Sequence, residues 1–156
     1  THTTYFIVSS AERHCASVRL RPARAGCMVQ KHFPELWDDE LKNNFEVTRF
    51  CASPMLNQND RFNCVSDLLL GLCRYCQSDG IGSFFGIVFP PIMRVLNQAG
   101  WPAQPLRRLP SWEGVYVLAQ WTASDRIAWN IQERRELREE GRARQRKGRA
   151  GSLVAA

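Results

Sequence analysis

An α+β domain, with helices packed on a mixed sheet, is what this sequence predicts, and three observations carry it. Runs of β-branched and aromatic residues, "TYFIVSS", "FEVTRF", "SFFGIVF" and "GVYVLAQWTA", read as strands. Between the second and third of these, apolar residues recur at Phe62, Val65, Leu69, Leu72, Cys73 and Cys76, the one-sided stripe of an amphipathic helix. Two strands joined through such a helix lie parallel and near one another in one sheet.

Taken in order, residues 4–10 and 14–22 are strands joined by the short polar "AER", a hairpin that Pro22 and Gly26 end. "MVQKHFPELW" is short and mixed, with Pro34 as a helix start. A strand covers 45–53, and the striped helix runs from Arg61 to a glycine C-cap at Asp79-Gly80. The nearly all-apolar 83–89 reads as a buried strand, and Pro91 opens a helix that Gly100 closes. "AQPLRRL" and 114–123 are strands, and Ser124-Asp125 cap a last helix that dissolves into an Arg-rich tail. On this reading 1–140 form the domain and 141–156 a basic, disordered extension.

With 156 residues, 44% of them hydrophobic, the chain can bury a substantial core, which argues against a disordered or fibrous protein. The net charge of +6 is concentrated near the end. Eight basic residues between Gln132 and Arg149 face four acids, so this segment alone carries +4 and a nucleic-acid reading rests mainly on it. No apolar span is long enough for a membrane helix, and the six cysteines sit largely in apolar runs. A reduced, soluble, cytoplasmic protein is expected.

"FEVTRF", Phe45 to Phe50, places two opposite charges inside a strand that otherwise suits a half-buried surface. In a regular strand Glu46, Thr48 and Phe50 share one face, and Phe45, Val47 and Arg49 the other. Glu46 and Arg49 therefore meet only across a bulge, or they divide the work, with Glu46 toward a site and Arg49 tying neighbouring structure. Either way at least one charge faces a cleft.

"SVRLRPA" (17–23), then "FEVTRF", then "GIGSFFGIVFPPIMRVLNQAGWP" (80–102), resemble in order the LuxI-type acyl-homoserine lactone synthases, the bacterial quorum-sensing autoinducer synthases. The similarity runs from about Tyr5 to Ile131. It implies an acetyltransferase-like (GNAT-related) three-layer fold with helices on both faces of a mixed sheet. Two adjacent parallel strands would splay apart to admit an acyl thioester, and 45–53 with 83–89 fall in that place. The implied reaction transfers an acyl group from acyl carrier protein, or sometimes coenzyme A, to the α-amine of S-adenosylmethionine. The lactone ring then closes and methylthioadenosine leaves. Both reactants are substrates, and no cofactor or metal is expected.

Physical chemistry suggests roles within that frame. An amine must be neutral to attack a thioester, which makes Glu46 the candidate base, directly or through one water. Unpaired backbone N–H groups of splayed strands could stabilise the tetrahedral oxyanion. Arg19 and Arg49 are bidentate donors for a carboxylate or a phosphopantetheine phosphate. Thr48 and Phe50, beside Glu46, join it as substrate-binding residues. Phe85, Gly86 and Ile87, with Met93, Leu96 and Trp101, offer apolar surface for an acyl chain, each buried methylene contributing about 0.8 kcal/mol. The competing readings are a salt-bridged strand residue for Glu46, a loop-pinning one for Arg49 and plain core for the apolar set. Gly86 stands where some relatives that prefer 3-oxo chains carry Thr, so the sequence lends no support to a 3-oxo substrate.

"QSDGIG" (77–82) fits a pyrophosphate-loop pattern but closes a helix and precedes a strand, the reverse of what phosphate binding uses, and reads as a C-cap. Cys73 and Cys76 lack a second ligand pair for zinc and extend the apolar stripe. Arg107 and Arg108 form a second basic pair that could meet a carrier protein. Family members carry, ahead of the first strand, a segment whose Arg, Phe, Trp and Asp residues help build the S-adenosylmethionine pocket. Thr1 to Ser10 contains no match to it, so an N-terminal truncation and impaired activity are expected. Two rival readings are an acyl-coenzyme A N-acetyltransferase and a non-catalytic nucleic-acid-binding domain that uses the basic tail. The binding domain would tolerate loss of Glu46.

Overall fold

The computed structural model describes residues 2–11, 13–112 and 114–153. Glu12 of the expected hairpin turn and 154–156 of the expected tail lie outside the described residues. Six strands form one mixed sheet in the order β1-β2-β3-β4-β6-β5. They are β1 (Thr4–Ser10), β2 (Arg13–Pro22), β3 (Phe45–Ala52), β4 (Ser83–Val88), β5 (Gln104–Ser111) and β6 (Gly114–Thr122). All neighbours are antiparallel except β3 and β4, which are parallel as the intervening helix requires.

The helices are α1 (Met28–His32), α2 (Gln58–Ser78), α3 (Pro90–Gln98) and α4 (Asp125–Leu153). Among the described residues no helix is long and apolar enough to cross a membrane. Helix α2 starts three residues before Arg61 because Asn57 caps it, its Oδ1 accepting from the backbone N–H of Asn59 and Asp60 at 3.0 Å. It ends where expected, with Gly80 at φ 69°. Helix α3 begins at Pro90, one residue earlier than read, since a proline in the first turn needs no N–H. Pro34 opens only a one-turn 3-10 segment, Pro34–Leu36, while α1 precedes it. Helix α4 runs to Leu153 with no break at 141, where an irregular tail was expected.

Two hydrophobic layers flank the sheet. The larger lies under α2, α3 and α4, where Leu68, Leu69, Leu72, Cys73 and Cys76 of α2 meet Val18 and Leu20 of β2 and Phe84 of β4. Trp101 is 1% exposed there, edge-on to Phe84, and its Nε1 donates to the Thr122 carbonyl at 2.9 Å. The smaller layer covers the other face, where Val29, Leu36 and Leu41 pack on Phe85 and Leu118. Helices and turns thus occupy both faces.

Strand β3 carries the irregularity that matters. Its pairing with β2 shifts register between Ser17 and Arg19, and Arg49 has φ 57°. One extra residue is accommodated there as a bulge, and the alternation of faces inverts across it. Phe45 and Val47 before the bulge, and Phe50 and Ala52 after it, all pack against the same helical layer. A regular strand would have put Phe50 on the face of Glu46, as the sequence reading had it.

A cleft between splayed strands as the candidate active site

Parallel pairing between β3 and β4 stops after two residue pairs, Phe45 with Phe84 and Glu46 with Phe85. Beyond them the strands separate. Gly86 stands at that point because nothing larger fits: a Cβ built on it would lie 2.6 Å from the Val47 carbonyl oxygen and 2.8 Å from Val47 Cγ1. The position read as vacant for a threonine hydroxyl is one where β3 backbone excludes any side chain.

The separated strands enclose an apolar cavity of about 240 Å³ on the helical side. Thr48, Phe50, Ile87, Leu96 and Trp101 of the sequence-derived set line it. Phe85 does not; it is fully buried on the opposite face, beneath Leu36 and Trp37. Met93 is also absent from the wall, its place taken by Ile92, four residues before Leu96 on α3. Phe84, Val88 and Phe89, unassigned from sequence, complete the β4 side. Period-2 alternation from a correctly placed face would have chosen Phe84 over Phe85. Trp121, 3% exposed, also borders the cavity, and its indole Nε1 is a buried donor with no partner among the described residues.

On the other face a wider recess of about 670 Å³ opens, bordered by Arg19, Arg21, Cys27, Lys31 and Arg49. Val47, Thr48, Arg49 and Ile87 border both hollows, so the two meet at the place where β3 and β4 part. Among the described residues, the recess lining has four cationic side chains and no carboxylate. Arg19 donates from Nε to Thr48 Oγ1 at 2.9 Å, so Thr48 orients this guanidinium as well as lining the cavity. Arg49 has no ion pair among the described residues and borders both hollows, rather than tying neighbouring structure as one reading proposed.

Glu46 is 0% exposed. Its carboxylate accepts from the Val29 N–H (2.9 Å), the Met28 N–H (3.1 Å) and the Cys27 thiol (3.2 Å), all at the start of α1. The bulge does not bring Glu46 to Arg49; the acid turns toward α1 and the arginine toward the opening. Cys27 and Met28 stand on the recess wall with Glu46 directly behind them. Three donors compensate a buried charge, which explains how the strand tolerates it.

Burial pushes the Cys27 thiol up to about 11, and its hydrogen bond to Glu46 adds to the effect. It therefore remains a donor at neutral pH. A thiol whose folded value exceeds its ordinary 9.0 leaves stability untouched below pH 9 and lowers it as the pH rises from 9 through about 11. Urea midpoints should accordingly fall as the pH rises above 9, with no contribution from this thiol to any change below it. Burial drives Cys76 still higher, to about 12, so it adds to the decline.

Other sequence features settle elsewhere. Cys73 and Cys76 are fully buried in the core. "QSDGIG" is the C-terminal turn of α2, with the Ile81 N–H bonded to the Cys76 carbonyl at 2.7 Å. Arg107 is ion-paired with Asp38 and donates to the Leu36 and Trp37 carbonyls, so it clamps the loop below Phe85 while its side chain stays exposed.

The acetyltransferase-like arrangement is shared by solved structures. BjaI, a CoA-dependent acyl-homoserine lactone synthase with MTA, aligns at 17% identity and a TM-score of 0.69, over 86% of this chain and 64% of that one. TofI, in a ternary complex with an inhibitor and MTA, aligns at 19% and 0.68, over 83% and 69%. MesI, another CoA-dependent acyl-homoserine lactone synthase, aligns at 21% and 0.70, over 87% and 68%. Such identities establish the fold, and the chain spans less than two thirds of BjaI, 64% of its length. No curated protein matches the sequence. Residues 1–130 match the autoinducer synthase family, so this chain is a member of that family.

Proposed function

We propose that the protein synthesises acyl-homoserine lactones, joining the acyl group of a thioester to the α-amine of S-adenosylmethionine. The observation that carries this reading is the two-pair limit on β3–β4 pairing, which leaves an apolar cavity where the strands part, next along β3 from a buried acid. The acyl chain occupies the cavity bounded by Phe50, Ile87, Leu96 and Trp101. The amine donor enters from the cationic recess, where Arg19 and Arg49 receive its carboxylate.

Glu46 accepts the proton that the α-ammonium must lose, through a water at the recess wall or by giving up one of its α1 donors. The amine nitrogen then bonds to the thioester carbon, and backbone N–H groups freed where β3 and β4 part stabilise the oxyanion. The C–S bond breaks and the thiolate leaves as a thiol, taking the second proton that the nitrogen sheds as the amide forms, while the first passes from Glu46 to solvent. Attack of the carboxylate oxygen on the carbon bonded to sulfur closes the ring and expels methylthioadenosine. The donor is an acyl thioester of acyl carrier protein, as the resemblance implies, or of coenzyme A, on which BjaI and MesI are stated to depend.

The test is incubation of the full chain with S-adenosylmethionine and either octanoyl carrier protein or octanoyl-coenzyme A, with mass-spectrometric detection of octanoyl-homoserine lactone. Lactone from either donor supports the reading. None from both, with the protein folded, rejects it.

A further inference from the structure

Glu46 is 0% exposed and lines neither the apolar cavity nor the recess. A base placed so deep exchanges a proton with an amine in the recess only through an intervening group. Of the three groups that hydrogen-bond to it, two are the backbone N–H groups of Met28 and Val29, which hold their protons at neutral pH. The third is the Cys27 thiol, which carries an exchangeable proton, donates it to Oε1 at 3.2 Å and stands on the recess wall. Local structure explains why this thiol is free to do so. Cys27 is the N-cap of α1 in an extended conformation (φ −116°, ψ 134°), where a serine or aspartate side chain would accept from the first helical N–H groups. Its thiol makes no such bond, and Glu46 takes those N–H groups instead. Thr48, the nearest hydroxyl along β3, accepts from Arg19 Nε at 2.9 Å and has no hydrogen bond to Glu46 among the described residues.

We propose that Cys27 is the proton relay between the amine donor and Glu46, and so a second catalytic residue of the reaction. The inference rests on the synthase reading above. The α-ammonium gives one proton to a lone pair on the Cys27 sulfur as the sulfur passes its own proton to Glu46 Oε1. One N–H and one S–H bond break, and one S–H and one O–H bond form. The ammonium becomes a neutral amine, the carboxylate becomes a carboxylic acid, and the sulfur is an uncharged thiol before and after. The same thiol, turned back, returns the proton from Glu46 to solvent in the recess. Burial, which pushes the Cys27 thiol up to about 11, keeps it in the protonated form that a relay needs. Withdrawing a backbone N–H from Glu46 instead would leave a buried donor unpaired, which the relay avoids.

Steady-state kinetics on the full chain test the relay. Cys27→Ala should lower kcat by about a hundredfold, the low end of what a positioned proton transfer contributes, and leave KM for S-adenosylmethionine unaltered. Cys27→Ser, whose hydroxyl both accepts and donates, should restore most of the rate. Rates in mixtures of H2O and D2O separate a relay from a fixed donor, because two protons in flight bow the plot of kcat against deuterium fraction and one leaves it linear. A linear plot for the native protein overturns the relay, as does a serine variant no faster than the alanine one. The infrared S–H stretch adds a readout that needs no turnover. The native chain should show a band lowered in frequency by the carboxylate, absent in Cys27→Ser and displaced in Glu46→Gln. Lack of that band overturns the relay even where Cys27→Ala does not fold. Absence of lactone from the native chain rejects the synthase reading and the relay with it, whereas a folded Cys27→Ala protein with the native rate rejects the relay alone.

Discussion

Glu46→Gln should lower kcat for lactone formation by roughly two to four orders of magnitude, the range that a positioned proton acceptor contributes. The amide cannot take the amine proton, and it also disturbs a fully satisfied carboxylate. Its NH2 group would face a donor, either the Val29 or Met28 N–H or the Cys27 thiol, where the native oxygen accepts. A folding cost of about 1–3 kcal/mol follows from that mismatch. Thermal unfolding of the variant separates the two contributions, because assays run well below its melting temperature read only the chemical defect. A folded Glu46→Gln protein with the native rate would remove Glu46 from the mechanism and return it to a role in holding α1.

Gly86→Ala tests the geometry of the cleft itself. The added methyl would stand 2.6 Å from a backbone oxygen, which cannot rotate away as a flexible side chain could. Strand β3 must shift, at a cost of about 1–3 kcal/mol. For a chain of this size each kcal/mol lowers Tm by about 2–4 °C. The strain acts where the parallel pairing ends, so the acyl cavity should change shape as well, and the preference among acyl chain lengths should move with the Tm. An unaltered Tm would mean that the strands separate freely and that Gly86 does not set their spacing.

Most of the architecture was legible because it follows from periodicity. The stripe on α2, the apolar run of β4 and the crossover between β3 and β4 were all read from spacing, and the parallel pair formed as that spacing requires. The inverted face of β3 was also written in the chain, in the three-residue step from Val47 to Phe50 that interrupts an alternation of two. What misled the reading was the assumption of a regular strand, which placed Phe50 with Glu46. The one-residue errors, Phe85 for Phe84 and Met93 for Ile92, arose because a run apolar on both faces gives no signal of which face meets the helices. The partners of Glu46 could not be read at all. Two of its three donors are backbone N–H groups of a five-residue helix, and any side chains there would present the same donors.

Because the hollows on the two faces of the sheet meet at Val47, Thr48, Arg49 and Ile87, the proposed reaction would give each reactant its own doorway. Neither has to wait for the other to depart, and random-order, ternary-complex kinetics are the natural outcome. Blockers shaped for opposite doorways could occupy the protein together. A molecule threading from one side to the other would gain from both at once, its tether passing between Val47 and Ile87.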